Sequence, residues 1–245
     1  MQRSVAISHQ RMRARRDHQY YRKSCRKGDD MTAMETRIVA GISVPHSRLV
    51  ERAIEHAHHA YEPYLFNHVM RSWLFAVKLA ELQNVAHDAE VLAVGTLLHD
   101  ITLNDRFAGP RRFEVEAADL ARDFATDAGL NRRRAQLIWD SVALNSTPSI
   151  GLYKEAEVGL CTTGICFDVV GLKYSFIPSS DVRTIVAEFP RLGMKRKMTS
   201  CFCHIAKTQP ETTYDNFVRD FGERFVPGYT VPSSVDLVAA APFDE

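Results

Sequence analysis

The chain has 245 residues, a hydrophobic fraction of 45% and a formal net charge of +1. This length and composition are typical of a globular protein that buries a sizeable core. Because the net charge is near zero, the protein as a whole lacks the excess of basic residues that is typical of nucleic-acid binding. No apolar run reaches the roughly 18 residues that a membrane span requires. We therefore expect neither nucleic acid nor a membrane as partner, and a homo-oligomer stays open.

The first residues of the chain are basic, since residues 1–35 hold nine of the 31 Lys and Arg but four of the 30 Asp and Glu. They lack the apolar region of a secretory signal, so we expect a cytoplasmic protein, with an Arg-rich organelle transit peptide as the alternative. The five cysteines are odd in number and lack the spacing of a disulfide framework, which agrees with a reducing compartment. We predict a basic, disordered extension over 1–36, one domain over 37–227 and an extended or loose tail over 228–245.

From Val44 onward the apolar pattern predicts helices separated by short breaks. Ser47, Asp88 and Asn131 are predicted N-caps, because their side chains can accept hydrogen bonds from the first backbone N–H groups of a helix. No alternating-apolar strand stands out, so we expect an all-α fold, a single-domain helical bundle. Loops are predicted at 101–112 and 146–151. The predicted helices cover 47–61, 65–83, 89–99, 113–128, 131–143, 153–171, 178–189, 193–207 and 211–225.

Two histidines and two aspartates lie in strongly apolar segments. The run Val91–Leu98 has almost no polar face and leads directly into His99 and Asp100. A carboxylate at the end of such a core helix is costly unless it is paired or binds a metal ion. His68 and Asp168 lie in two other apolar helices. The four side chains suit one divalent ion inside a helical bundle, and a mixed His and carboxylate set favours zinc, iron or manganese over calcium or magnesium.

Short motifs occur in a fixed order along the chain: NHVMRS at 67–72, LLHDI at 97–101 and FDVVG at 167–171. They resemble the ordered motifs of the HD superfamily, whose members are metal-dependent, mostly phosphohydrolytic, all-helical domains. The segments RFEV at 112–115, PRLG at 190–193 and KTQPET at 207–212 are similar to the branch typified by cyanamide hydratase. The resemblance covers roughly residues 45–229.

The resemblance implies a metal centre and a reaction. It implies that His68, His99, Asp100 and Asp168 bind one metal ion. It further implies that metal-activated water attacks a small substrate, with nitrile hydration of the cyanamide type as the expected reaction.

Two alternatives stay open. The first is an HD phosphohydrolase that acts on a nucleotide or phosphoester, in which Arg106, Arg111 and Arg112 could bind the phosphate group. The second is a catalytically degenerate HD protein.

Three further residues are candidates for catalysis beside Asp100. Glu114 could shuttle a proton, or it could be an ordinary glutamate in the first turn of a helix. Arg71 lies one turn after His68 and could pair with Asp100 or with a substrate anion, or it could form a structural salt bridge. Asn145 stands where relatives of this branch typically carry a histidine. An amide keeps the hydrogen bonding but loses the titratable ring, so activity could be reduced or retuned.

Overall fold

The described part of the chain is mostly helical. The computed structural model describes residues 35–103 and 109–243. Within those ranges it contains eleven α-helices and one antiparallel hairpin, which confirms the predicted all-α fold, and none of these helices is long and apolar enough to cross a membrane. The elements are β1 (Thr36–Val39), β2 (Ile42–Pro45), α1 (Arg48–Ala60), α2 (Pro63–Gln83), α3 (Ala89–Leu98), α4 (Phe113–Asp127), α5 (Arg132–Ala143), α6 (Pro148–Gly151), α7 (Ala156–Val170), α8 (Ser179–Glu188), α9 (Met194–Thr208), α10 (Val218–Phe225) and α11 (Ser234–Ala239).

Side-chain caps fix the start of three helices. Ser47, Asp88 and Asn131 each accept a hydrogen bond from a backbone N–H in the first turn of α1, α3 and α5, respectively. The three predicted N-caps are therefore confirmed. Arg134, in the first turn of α5, also binds the Asp88 carboxylate with its Nε 2.7 Å from Oδ2, so the starts of α3 and α5 are tied together.

Helices α2, α3 and α7 form the centre of the bundle. α3 is buried from Val91 to Leu98, as its apolar run predicts. α2 packs along α7, and α3 contacts both of them. Gly164 of α7 lies so close to α2 that a Cβ atom there would overlap the carbonyl oxygen of Ser72 and the side chain of Ala76. These three helices place the candidate metal ligands inside the core.

A hairpin precedes the helices, which corrects the expectation that the chain has no strand. Ala40 and Gly41 at its turn both have positive φ, 47° and 79°, as the tight turns favoured in hairpins require. Ile42 and Val44 are buried while Ser43 between them is exposed. The alternation is present, but it spans only the shortest run from which periodicity can indicate a strand.

Other segments also differ from the predictions. The segment 211–225, expected to be one helix, is a 3-10 turn (Pro210–Thr212) followed by α10. Between them, Thr213 Oγ1 donates to the Pro210 carbonyl, and Asn216 Oδ1 accepts from the Val218 N–H. These side chains bind backbone groups that would otherwise form the hydrogen bonds of a continuous helix. α6 occupies part of the predicted loop at 146–151, and α11 lies within the predicted tail. The predicted N-terminal extension up to residue 34, and residues 104–108 of the loop after α3, lie outside the described residues.

Replacing Gly164 by Ala should destabilise the protein, because the added methyl group would meet the backbone of α2. We expect the free energy of unfolding, measured by urea denaturation, to fall by about 2 kcal/mol or more, as for other overpacked cores. The control is Gly159→Ala in the same helix, where the new Cβ would lie 3.7 Å from the Leu152 carbonyl oxygen and alanine improves helix propensity. Equal stability of the two variants would contradict the close packing of α2 and α7.

Candidate metal centre

Three buried side chains direct their ligand atoms toward one point. His68 lies in α2, His99 is the C-cap residue of α3 and Asp100 follows it. The Nε2 atom of His68 is 3.2 Å from Nε2 of His99 and 3.6 Å from Oδ2 of Asp100, and Nε2 of His99 is 3.2 Å from the same Oδ2. The centre of this triangle is about 1.9 Å from each atom, close to the roughly 2.0–2.2 Å at which zinc binds His and Asp. The group could therefore hold a metal ion.

The hydrogen bonds on the other side of each ring fix where the protons are. Nδ1 of His99 is 2.8 Å from the Thr96 carbonyl oxygen, and Nδ1 of His68 is 2.7 Å from Oδ2 of Asp168. Since both of these oxygens accept, each Nδ1 donates, and each neutral ring has a lone pair at Nε2. Asp100 Oδ2 is buried without a hydrogen-bond partner. With both rings neutral, three electron-pair donors thus converge on one point, which is the environment that a cation satisfies.

Asp168 lies on the opposite side of the His68 ring from this point. Its two oxygens receive four hydrogen bonds: Arg71 Nε at 2.8 Å and Arg191 Nη1 at 2.9 Å on Oδ1, and His68 Nδ1 at 2.7 Å and Arg71 Nη2 at 2.8 Å on Oδ2. A carboxylate in this position orients the histidine and strengthens it as a ligand. The structure therefore brings three of the four predicted ligands together, and direct coordination by Asp168 stays a prediction.

Burial and neighbouring charges set the protonation of the site. Burial lowers the pKa of His68, which keeps its ring neutral and its lone pair free. Burial opposes the ionised form of Asp168, but the hydrogen bonds from Arg71 and His68 outweigh it and hold the pKa of this carboxyl well below its usual range. Burial also lowers the pKa of His99, yet the adjacent Asp100 carboxylate reverses the shift and the net direction is upward. His99 is thus the ligand at which protons compete with a metal ion as the pH falls.

The ligand atoms border a cavity of about 280 Å³. Its polar lining consists of the three ligands together with Asn145 and Ser146, and apart from the Cys166 thiol its other side chains are apolar. These are Phe113, Pro148, Ile165, Val169, Val170, Met198, Phe202, Phe217 and Phe221. The arrangement places a few polar groups within an otherwise apolar pocket, as in many small-molecule sites.

Glu114 is connected to this cavity through Ser146. The Glu114 carboxylate is fully buried in the first turn of α4, and it is not among the cavity-lining residues. Ser146 Oγ donates to Glu114 Oε1 at 2.5 Å, and Arg112 Nη2 donates to the same oxygen at 2.9 Å. A hydroxyl group thus connects a buried carboxylate to the cavity. Ser146 was missed in the sequence, where its position directly after Asn145 is the one signal that could have indicated it.

The remaining sequence candidates fall in two different places. Asn145 lines the cavity, and its Nδ2 donates to the Val142 carbonyl at 2.6 Å. Arg71 is fully buried and is not among the lining residues, because its guanidinium group binds Asp168 and the carbonyl of Phe189 at 2.8 Å. The salt bridge anticipated as the structural alternative for Arg71 is therefore present.

Comparisons with models of known protein families and with curated proteins give no match to this chain.

Replacing Asp100 by Asn should remove the metal ion, because one of three converging donors becomes an amide. We expect about one divalent ion per chain in the wild-type protein by elemental analysis after dialysis, and substantially less in Asp100→Asn. Asp168→Asn is the matched change at the neighbouring carboxylate. It should still bind one ion when metal is supplied, with affinity reduced by about 10- to 100-fold, as for other residues that orient a ligand.

Circular dichroism on both variants separates loss of the ion from loss of the fold. An equal loss of ion from two folded variants would instead indicate that Asp168 is a direct ligand. Full occupancy of Asp100→Asn would contradict the assignment of the centre.

Proposed function

We propose that this protein is a metal-dependent enzyme that adds water to a small neutral substrate, with nitrile hydration of the cyanamide type as the reaction. The observation that carries the proposal is the convergence of His68, His99 and Asp100 at the edge of an otherwise apolar cavity. In this reaction water adds across the carbon–nitrogen triple bond, and the product is an amide. The three side chains would hold zinc, iron or manganese, because mixed imidazole and carboxylate sets suit these ions.

A metal site with three protein ligands is suited to catalysis. Catalytic metal sites keep at least one coordination position for water or substrate, whereas structural sites are closed by protein. A divalent ion in this position would supply Lewis-acid activation of water and of the substrate nitrogen. Asp168 and the Thr96 carbonyl keep the two imidazole rings in the orientation that binding requires.

Water addition also requires that a proton move from the water molecule to the substrate nitrogen. Ser146 lines the cavity and donates its hydroxyl proton to Glu114, so its oxygen can accept a hydrogen bond from a group in the cavity. Ser146 and Glu114 together can receive a proton and return it, as general acid–base catalysis requires. Arg112 balances the charge of Glu114: its Nη2 donates to the same Oε1 at 2.9 Å and lies 3.5 Å from Ser146 Oγ.

Asn145 limits which residues can take part in this transfer. Its amide does not titrate near neutral pH, so in this chain it can orient a substrate by hydrogen bonding but cannot exchange a proton. Cys166, which also lines the cavity, is a poor nucleophile because burial raises its pKa to about 11. Glu114 is therefore the residue that we assign to proton transfer.

A phosphoester is a less suitable substrate for this cavity. Enzymes that act on phosphate groups place cationic side chains against the phosphate oxygens, and among the described lining residues there is no Lys or Arg. Arg112 is paired with Glu114, and Arg111 is paired with Glu116. Arg106 lies outside the described residues.

The proposal is tested by assaying the metal-loaded protein with cyanamide and with bis(4-nitrophenyl) phosphate, beside Asp100→Asn. We expect urea from cyanamide, no cleavage of the phosphodiester and no activity in the variant. Cleavage of the phosphodiester alone would favour the phosphohydrolase. An inactive wild-type protein that holds its ion would favour the degenerate alternative, and Asn145→His would then be the variant to assay.

Glu114→Gln should lower kcat by about 100-fold, a value at the lower end of the range for general acid–base groups, because the amide cannot accept a proton from Ser146. Metal content should be unchanged, since Glu114 is not one of the three converging ligands. Glu116→Gln on the same helix is the control, because Glu116 binds Arg111 at the surface. Equal activity of the two variants would rule out Glu114 as the proton-transfer residue.

A further inference from the structure

The walls of the cavity indicate more about the substrate than the metal centre does. Apart from the polar groups named above, the lining is aromatic or aliphatic, and it comes from α7, α9, α10 with the adjacent Phe217, Phe113 of α4 and Pro148 of α6. Phe202 lies at the centre of an aromatic cluster, with its ring centroid 4.8 Å from that of Phe217 and 4.9 Å from that of Phe221. The Phe202–Phe217 contact is edge-to-face and the Phe202–Phe221 contact is tilted. Aromatic contacts of this kind stabilise the wall in one arrangement, so the cavity is formed before a ligand enters.

The size of the cavity sets a lower limit for a ligand that fills it. An engineered apolar cavity of about 150 Å³ binds benzene and stays free of water, and the cavity described above measures about 280 Å³. Cyanamide, with three heavy atoms, would leave most of this space to water. Water against the wall built from Ile165, Met198 and the phenylalanines finds few polar partners there, so its replacement by an apolar group is favourable.

From these features, and resting on the hydration reaction proposed above, we propose that the natural substrate is a neutral nitrile with an apolar body larger than a benzene ring. The polar lining residues would face its reacting group, and the aromatic and aliphatic wall would enclose its body. An ionic body is disfavoured, because the described lining residues outside the metal centre carry no charge. Cyanamide would then be turned over with a high KM, since it makes no contact with the apolar wall.

The proposal is tested by binding before it is tested by turnover. Linear primary amides from propanamide to octanamide are products of the expected reaction, so their dissociation constants can be measured by calorimetry on the metal-loaded protein without catalysis. We expect affinity to rise about fourfold with each added methylene group until the cavity is filled. An affinity that is constant or that falls along the series would overturn the proposal.

Two matched variants show whether the amides occupy this cavity. Val170 lines it and is 74% exposed, whereas Val238 in α11 is 76% exposed and is not among its lining residues. Val170→Asp should weaken the binding of octanamide by about tenfold, because the apolar chain must then approach a charge. Val238→Asp should leave the dissociation constant of octanamide unchanged. Neither substitution alters a buried position. Equal effects of the two variants would indicate binding elsewhere and would overturn the proposal.

Turnover of the matching nitriles separates this inference from the proposed function. If kcat/KM depends on chain length in the same way as the amide affinities, the result supports both the proposed hydration reaction and the inference about the substrate. Hydration of cyanamide with no length dependence would leave the proposed function in place and overturn the inference. Amide affinities that rise with length, without hydration of any nitrile, would overturn the reaction and retain the apolar ligand class.

Discussion

The Asp168 carboxylate joins the parts of the chain from which the site is built. It lies in α7, binds Arg71 of α2 through both oxygens, and also accepts a hydrogen bond from Arg191 just before α9. A buried ion pair adds little net stability compared with apolar packing, but loss of one partner is strongly destabilising because the other charge stays buried. Since the same carboxylate holds Nδ1 of His68, the interaction that connects the helices also determines which nitrogen is available as a ligand.

Arg71 extends this network to the apolar wall. Its Nη1 donates to the Phe189 carbonyl at 2.8 Å, and its Nη2 lies 3.1 Å from the sulfur of Met194 at the start of α9. α9 then supplies Met198 and Phe202 to the cavity. A polar network in the core thus positions both the ligands and the hydrophobic surface beside them. The burial of this surface strengthens the electrostatic interactions of the site, because the effective dielectric constant falls as water is excluded.

The sequence predicts features that depend on neighbouring residues, and it misses those that depend on contacts between distant ones. The caps at Ser47, Asp88 and Asn131 follow from local hydrogen bonding, and the burial of His99 and Asp100 follows from the apolar run before them. The interruption of the predicted helix before α10 was missed, because it results from side-chain hydrogen bonds to the backbone within a segment that has a helical pattern.

Long-range pairs explain most of the remaining differences at the site. Ser146 meets Glu114 across 32 residues, and Arg191 meets Asp168 across 23; neither pair shows a periodic signal. The apolar residues of α9 and α10 are predictable as helix faces, but their convergence on one cavity is a property of the fold. The position of Asp168 behind His68 likewise depends on how α2 and α7 are packed.

Arg71 and Arg191 both pair with Asp168, and among the described residues no Lys or Arg pairs with Asp100, so the Asp100 carboxylate gives the metal centre a negative charge. The end of α3 adds a further contribution, because His99 and Asp100 stand at the carboxyl terminus of this ten-residue helix. Aligned peptide dipoles give a helix C-terminus roughly half a negative charge, and the effect is largest where it is not screened by solvent. The buried backbone of α3 therefore makes its end electronegative at the point where the three ligand atoms meet, and in this way a largely apolar helix favours a cation.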